Sequence, residues 1–312
     1  MRRMLIGTVM LVWLVGTAAA EEAASPEVDR ALRLLTAGDV FSKKAGLLEL
    51  EALREPSTLG AVQPFLNDPN PELRAQALTA ARAIQGAASV PLLVDRLSGD
   101  RDPQVRRQAA NELHELRDPS TLPALTNALG DRQVIVRVSA AEALGALNDA
   151  SVTPLLIRQS RSRHAELRRS SVEALGALRD PQARDTLIAR TRDRDVNVRR
   201  AAVKSLHRLN DPSTVPVFLR ALRDRDDTVR KLAMKALGAL ATNNDLPALE
   251  RLLQAGRAML RLYAIGLLEH LGTPEAVAAL QRRVAREYND VVRETLDRSI
   301  GRLRRVPESS AT

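Results

Sequence analysis

A two-residue unit, valine or leucine followed by arginine, returns every 31 or 32 residues along most of the chain. Each copy begins a segment whose apolar residues have helical spacing, seen most clearly from Val136 to Leu147. A period in the low thirties with two helices per copy is typical of an α-solenoid, whose repeats bury their apolar faces only against their neighbours. The pattern therefore predicts an all-α stack of about eight helix pairs, with a ninth, degraded copy at Ser42-Lys43. The eight pairs are Leu73-Arg74, Val105-Arg106, Val136-Arg137, Leu167-Arg168, Val198-Arg199, Val229-Arg230, Leu260-Arg261 and Val292-Arg293.

Residues 100–130 show how one repeat is expected to form. Asp102 is predicted to cap a longer helix, and Pro103 follows at the first helical position, where a missing N–H costs nothing. Asp118-Pro119 ends this helix and begins a shorter one. The predicted core positions are Val105, Ala109, Ala110, Leu113, Leu116, Leu122, Leu125 and Leu129. The capping position lacks a good cap at Gln133, His164 and Arg257, where we expect looser turns.

The residues around these pairs resemble the HEAT repeat, in particular the short variety that phycobilin lyases share. The resemblance rests on an aspartate six positions before the arginine, on the V-R pair and on the phrase A-L-G-x-L, and it covers residues 39–303. It implies an α-solenoid with a right-handed superhelical stack, whose second helices line the concave side. The aspartates are Asp68, Asp100, Asp131, Asp193 and Asp224.

The resemblance also implies a ladder in which the aspartate of one repeat pairs with the arginine of an adjacent repeat. The planar guanidinium suits this role because it can bind both oxygens of a carboxylate. Ser162 and Ala255 interrupt the aspartate column and Glu287 replaces it, so we expect bends or weaker coupling near residues 160 and 255. The predicted ladder residues are Asp100, Arg106, Asp131, Arg137, Asp193, Arg199, Asp224 and Arg230.

The first twenty residues have the form of a secretory signal peptide. Arg2 and Arg3 precede an apolar run from Met4 to Gly16, and Ala18 to Ala20 supply the small residues that signal peptidase accepts before Glu21. The run is short for a transmembrane helix, although an uncleaved anchor stays an alternative. We predict an exported protein of a bacterial cell envelope, periplasmic or secreted, with no stable membrane insertion after cleavage. The predicted order is a signal peptide over 1–20, a capping helix within 21–38, the repeat array over 39–303 and a disordered tail over 304–312.

No constellation of residues in the sequence indicates catalysis. Cysteine is absent, which excludes thiol nucleophiles and disulfides. Deoxyhypusine hydroxylase resembles this architecture but holds iron with several His-Glu pairs, whereas this chain has one, His114-Glu115. His207 lies three repeats from His114, too far to share a metal, and His164 and His270 occupy other columns. We therefore predict no catalytic residue, no metal and no cofactor.

One set of charges follows the repeat. Positions one, five and nine after the repeat arginine are expected to stay exposed on the second helix, and in two adjacent repeats they are mostly basic. The chain has a net charge of +9, which points to anionic partners in general. The alternative is an ordinary solvated face in an arginine-rich protein. The predicted partner-binding residues are Arg200, Lys204, Arg208, Lys231 and Lys235.

Four functions fit these observations to different degrees. The sequence favours a non-catalytic scaffold or adaptor whose concave face binds a protein with an acidic surface. A nucleic-acid-binding solenoid would explain the charge, but aromatic residues make up only 2% of the chain and Trp13 lies in the predicted signal peptide. The others, Phe41, Phe65, Phe218, Tyr263 and Tyr288, are widely scattered. A lyase-like or chromophore-binding protein and a binder of anionic envelope lipids or glycans are the remaining alternatives.

Overall fold

The computed structural model describes residues 25–305, which form a stack of helices and contain no β-strand. Long and short helices alternate along the stack. The long helices are α2 (Val40–Leu53), α4 (Pro71–Gln85), α6 (Pro103–Leu116), α8 (Val134–Leu147), α10 (Ala165–Leu178), α12 (Val196–Leu209), α14 (Asp227–Leu240), α16 (Ala258–Leu271) and α18 (Asp290–Arg305). The others are α1 (Pro26–Leu35), α3 (Leu59–Val62), α5 (Val90–Gly99), α7 (Leu122–Ala128), α9 (Thr153–Gln159), α11 (Arg184–Arg190), α13 (Val215–Ala221), α15 (Leu246–Leu253) and α17 (Pro274–Val284).

The repeat is a short helix followed by a long one, which confirms the predicted all-α solenoid. Eight such pairs run from α3 and α4 to α17 and α18, and α1 packs against α2 at the N-terminal end. A 3-10 turn opens most short helices, as at Pro119–Thr121 and Pro212–Thr214. Proline fits there because its fixed φ is suited to the first position of a helix and no N–H is needed.

Side chains set where the long helices begin. The Asp102 carboxylate accepts a hydrogen bond from the Gln104 N–H at 2.7 Å, as the sequence predicts for an N-cap. No side-chain cap is present at Gln133, His164 or Arg257. The opposite ends share a left-handed residue, with φ between 51° and 57° at Arg54, Arg117, Asn148, Arg179 and Asn210. This conformation turns the chain out of the helix and into the next short segment.

The core runs without a break from Ala31 to Ile300. In the second repeat Val105, Ala109, Ala110 and Leu113 are buried as predicted, while Leu116 is only half-buried. The long helices of successive repeats pack closely against one another, whereas the short helices contact their neighbours at few points. Closer packing on this side is what a curve towards the long helices would produce, in line with the concave position that the resemblance to HEAT repeats implies for them, and we call the face of the long helices the inner side.

Pro71–Gly99 is the one helical run in residues 25–305 that is long and apolar enough by composition to cross a bilayer. It is two helices and not one continuous helix, because Gly86 has a φ of 56° and a 3-10 turn separates α4, the long helix of one repeat, from α5, the short helix of the next. Leu73, Leu78 and Leu93 of this run are buried in the core. The run is therefore one hairpin of the solenoid.

The ends of the described chain differ slightly from the predicted boundaries. Helix α1 spans Pro26–Leu35, within the segment where a capping helix was predicted. Helix α18 continues to Arg305, so Arg304 and Arg305 are helical and do not belong to the predicted tail. The predicted signal peptide over 1–20 and residues 306–312 of the predicted tail lie outside the described residues.

Candidate binding surface on the long helices

A ladder of arginine–carboxylate pairs joins successive repeats at five of the seven junctions between the eight helix pairs. In each rung, Nε and Nη2 of the arginine donate to the two oxygens of one carboxylate, at 2.7–3.1 Å. The Nη1 group donates to backbone carbonyls of the arginine's own preceding turn, as Arg106 does to Asp100 at 2.9 Å. Each guanidinium therefore joins two consecutive turns. The five rungs are Arg74–Asp100, Arg106–Asp131, Arg168–Asp193, Arg199–Asp224 and Arg261–Glu287.

The rung carboxylates are held in the charged form. Burial by itself would raise the pKa of Asp193, but the hydrogen bonds from Arg168 and from the Asp195 N–H outweigh it. The pKa of Asp193 consequently lies below its usual value. The same balance lowers the pKa of Asp100.

The ladder is interrupted at two arginines that the sequence analysis placed in it. Arg137 has no carboxylate partner in residues 25–305, because its partner position is Ser162, and it donates only to carbonyls of its own turn. Arg230 faces Ala255 and pairs instead with Asp227 of its own helix, at 3.1 Å. Including Arg137 and Arg230 among the ladder residues was therefore wrong, since each arginine needs an acid in the following repeat.

The weaker packing expected at the two missing rungs is found at only one of them. Helices α8 and α10 stay tightly packed across the missing rung at Ser162, so the weaker coupling expected near residue 160 is not seen in the packing. Helices α14 and α16 make a much smaller contact across the position of Ala255. Close packing of small residues holds the first junction together without a rung.

The structure divides the five predicted partner-binding residues into two groups. Arg200 donates to both oxygens of Asp226, at 2.9 and 2.6 Å, so its charge is neutralised. The Lys231 ammonium lies 2.7 Å from Asp227 on the same helix. These two positions are paired with acids at the start of α14 and offer a partner little free charge.

Lys204, Arg208 and Lys235 form the other group, which we call the inner cation cluster. All three side chains are exposed, and none forms a salt bridge with any residue in 25–305. Their helices, α12 and α14, are adjacent, so the cluster extends across one helix–helix junction of the inner surface. Cations without a partner and on the inner wall can bind anionic groups of another molecule.

His207 lies beside this cluster. Burial, and then the positive charge of Lys235, lower the pKa of His207, so the imidazole is neutral at physiological pH. Its Nδ1 atom is buried and has no hydrogen-bond partner among the described residues. His207 therefore adds no positive charge to the inner cation cluster at neutral pH.

Sequence reasoning missed a polar cluster between α4 and α6. Glu112 is buried there, accepts hydrogen bonds from Thr79 at 2.8 Å and Gln108 at 2.5 Å, and pairs with Arg82. The repeat position of Glu112 is occupied by alanine or serine in the next three repeats, so the repeat pattern alone did not predict a polar cluster there. The polar residues at the facing positions could have revealed it. Because its bonds are satisfied within the protein, this cluster stabilises the junction.

An open cleft of about 420 Å³ lies on the inner side of α2, α4 and α6. Its walls are mixed in charge and include Lys44, Glu72, Gln76 and Arg107. Within residues 25–305 there is no group of three or more histidine and acidic side chains that could hold a metal ion. The structure does not bring the four histidines together: His114 and His207 are half-buried on separate helices, His164 lies in a turn and His270 is exposed.

Comparisons with known proteins agree with this architecture. The family model described as HEAT repeats matches residues 90–176, 129–194, 153–238, 185–265 and 217–301. No curated protein matches the chain. Among solved structures, an engineered protein is 18% identical, with a TM-score of 0.55, covering 89% of this chain and 88% of that one.

Two natural proteins are also similar. YibA of Escherichia coli is 19% identical with a TM-score of 0.53, covering 83% of this chain and 95% of that one. The CpcE and CpcF complex of phycocyanin lyase from Nostoc sp. PCC7120 gives 20% identity and a TM-score of 0.43, with coverage of 93% and 99%. At these identities the likenesses concern the fold alone.

Proposed function

Because the chain belongs to the HEAT-repeat family, we propose that it is a non-catalytic scaffold or adaptor that binds an acidic segment of another protein on its inner surface. The observation that carries the proposal is the inner cation cluster, in which Lys204, Arg208 and Lys235 are exposed and free of carboxylates within the described chain. A solenoid exposes a long, continuous wall, which suits an extended partner. The inner cation cluster supplies the positive charge that selects an acidic partner.

The proposed location is the bacterial cell envelope. Its support is the sequence of the first twenty residues, with Arg2 and Arg3 before an apolar run and three alanines before Glu21. Export would place the binding surface outside the cytoplasm, away from the nucleic acids that a basic protein otherwise attracts.

Reversing the inner cation cluster is expected to abolish acidic binding. We expect the triple variant Lys204→Glu, Arg208→Glu, Lys235→Glu to bind a labelled oligoglutamate peptide at least about tenfold more weakly, since three attractions become repulsions. Binding is measured by fluorescence anisotropy, and capture from an envelope extract at the same salt tests whether the native partner behaves alike. Binding by the wild type should weaken as salt is added.

A matched control separates this surface from net charge. Arg158, Arg220 and Arg251 lie on short helices, are exposed and form no salt bridge among residues 25–305. Reversing these three changes the net charge equally and should leave peptide binding nearly unchanged. Equal losses in both triple variants would contradict the proposed surface, provided both melt like the wild type.

Export has its own test. N-terminal sequencing of the protein from the envelope fraction of its native host is expected to begin at Glu21, because the alanines before it form the cleavage site. Recovery of the intact N-terminus from the cytosol would contradict both the location and the cleavage.

A further inference from the structure

The turns that precede the long helices carry a second, separate set of cations. In a turn with a rung, the carboxylate pairs with the arginine of the previous repeat and its two neighbours are exposed, and the two neighbours of Ser162, which replaces the carboxylate in one turn, are exposed as well. In three successive turns both neighbours are arginine. We call these six residues the turn arginines: Arg161, Arg163, Arg192, Arg194, Arg223 and Arg225.

The charge of the turn arginines is not fully compensated by the acids beside them. All six are exposed, and none forms a salt bridge within residues 25–305. Of the neighbouring acids, Asp193 and Asp224 are occupied by the rung arginines, and Asp226 by Arg200. Within the described chain, Asp195 accepts hydrogen bonds only from backbone N–H groups at the start of α12, so it keeps its negative charge beside Arg194. Six arginines outnumber this one acid, so the edge presents a net positive row across three repeats. Arg101 and Arg132 extend it into two earlier turns.

Exposed apolar side chains lie on the same edge. Residues 25–305 expose six large apolar side chains. Five of them lie in a turn that precedes a long helix or in the first two positions of a long helix. Tyr288 is 80% exposed and occupies the same repeat position as Arg163, Arg194 and Arg225. The other four are Val40, Phe41, Met259 and Val291. Phe41 and Val40 lie at one end of the arginine row, and the other three lie at the opposite end.

We propose that this edge docks on the surface of an anionic phospholipid membrane. Guanidinium groups bind phosphates through paired hydrogen bonds, and each basic residue near an anionic bilayer adds to the attraction. Tyrosine and aliphatic side chains favour the boundary between headgroups and acyl chains. An isolated row of arginines would fit other polyanions equally well. The apolar side chains at both ends favour a membrane, because a phosphate backbone would leave them uncovered.

The edge is distinct from the inner cation cluster, so membrane docking and partner binding need not compete. Lys204 and Lys235 lie in the middle of their helices, on the inner wall, whereas the turn arginines precede the helices. The protein could therefore hold a partner close to a membrane surface. This proposal does not depend on the proposed function, and different variants test the two.

The test uses the full chain and sedimentation with vesicles, one set containing phosphatidylglycerol and phosphatidylcholine and the other phosphatidylcholine alone. Partitioning onto the anionic vesicles is expected to fall about 100-fold in the variant Arg163→Gln, Arg194→Gln, Arg225→Gln, at about fivefold per arginine. Lys204→Gln, Arg208→Gln, Lys235→Gln removes the same charge and should keep binding within about twofold. Residues 1–24 are identical in all variants, so their contribution cancels. Tyr288→Ser with Met259→Ser should weaken binding further.

Three results would overturn the proposal. The turn variant could bind anionic vesicles as the wild type does, or both triple variants could lose the same affinity, which would mean that only net charge matters. The wild type could also bind a short DNA duplex through the turn arginines while failing to bind the vesicles, which would identify a nucleic acid as the ligand of this edge. Unchanged circular dichroism and melting of each variant ensure that the comparison concerns folded protein.

Discussion

Replacing Gly176 by alanine is expected to destabilise the protein by about 1–3 kcal/mol, although alanine is the better helix former. Gly238→Ala, at the same position of the phrase A-L-G-A-L two repeats later, should instead stabilise it, by up to about 1 kcal/mol. The two substitutions change the same atoms in the same kind of helix. Their opposite signs come from the neighbouring repeat.

The difference lies in the distance between long helices. A Cβ at Gly176 would lie 2.2 Å from Ser205 Oγ and 2.8 Å from Ser205 Cα, so backbone as well as side chain would have to move. The Ser205 hydroxyl already donates to the Val172 carbonyl at 2.9 Å and cannot turn away without losing that bond. At Gly238 no atom lies within 4 Å of the added Cβ. In the repeat that follows Gly238, the position equivalent to Ser205 is the larger Leu267, and α14 and α16 make a smaller contact than α10 and α12.

Urea unfolding followed by circular dichroism at 222 nm measures both effects. Wild type, Gly176→Ala and Gly238→Ala are compared at one pH and one protein concentration. Equal unfolding midpoints for the two variants would contradict the close approach of α10 and α12. A loss of stability in Gly238→Ala would contradict the open junction between α14 and α16.

These two glycines show what the sequence could and could not predict. The 31-residue register is enough to predict the helix pairs, the capping aspartate Asp102 and the buried stripe, because each depends on local spacing. The spacing between helices is not local. It depends on side chains of the next repeat, such as Ser205, which lies against Gly176 and whose equivalent in the repeat after Gly238 is the larger Leu267.

The candidate binding surface was predicted in part for a similar reason. Counting along one helix face located Lys204, Arg208 and Lys235, which the structure leaves exposed. It could not foresee that Asp226 would pair with Arg200, because that acid belongs to the turn of the following repeat. The turn arginines were missed because the charges were counted by helix face, and these residues precede the helices.

The second large effect on stability is expected from removing an arginine of the ladder. We expect Arg168→Ala to destabilise the protein by about 3 kcal/mol, because it leaves the carboxylate of Asp193 buried without its partner. Both side chains of this rung are only 5% exposed. Arg137→Ala, in the preceding repeat, should lose about 1 kcal/mol, since Arg137 donates only to carbonyls of its own turn. The repeat position is the same in both, so helix propensity and side-chain size are matched.

The pH dependence distinguishes a lost rung from a packing defect. The pKa of Asp193 is lowered in the folded protein, so the rung's contribution is fully present above the ordinary carboxyl pKa of about 4. It is lost as the pH falls through the lowered folded value. The stability difference between wild type and Arg168→Ala should therefore be largest near neutral pH and shrink as the pH is lowered below about 4, whereas the small effect of Arg137→Ala should stay constant. Urea midpoints across this pH range measure both differences, and a pH-independent loss in Arg168→Ala would show that Arg168 acts through packing and not through the carboxylate of Asp193.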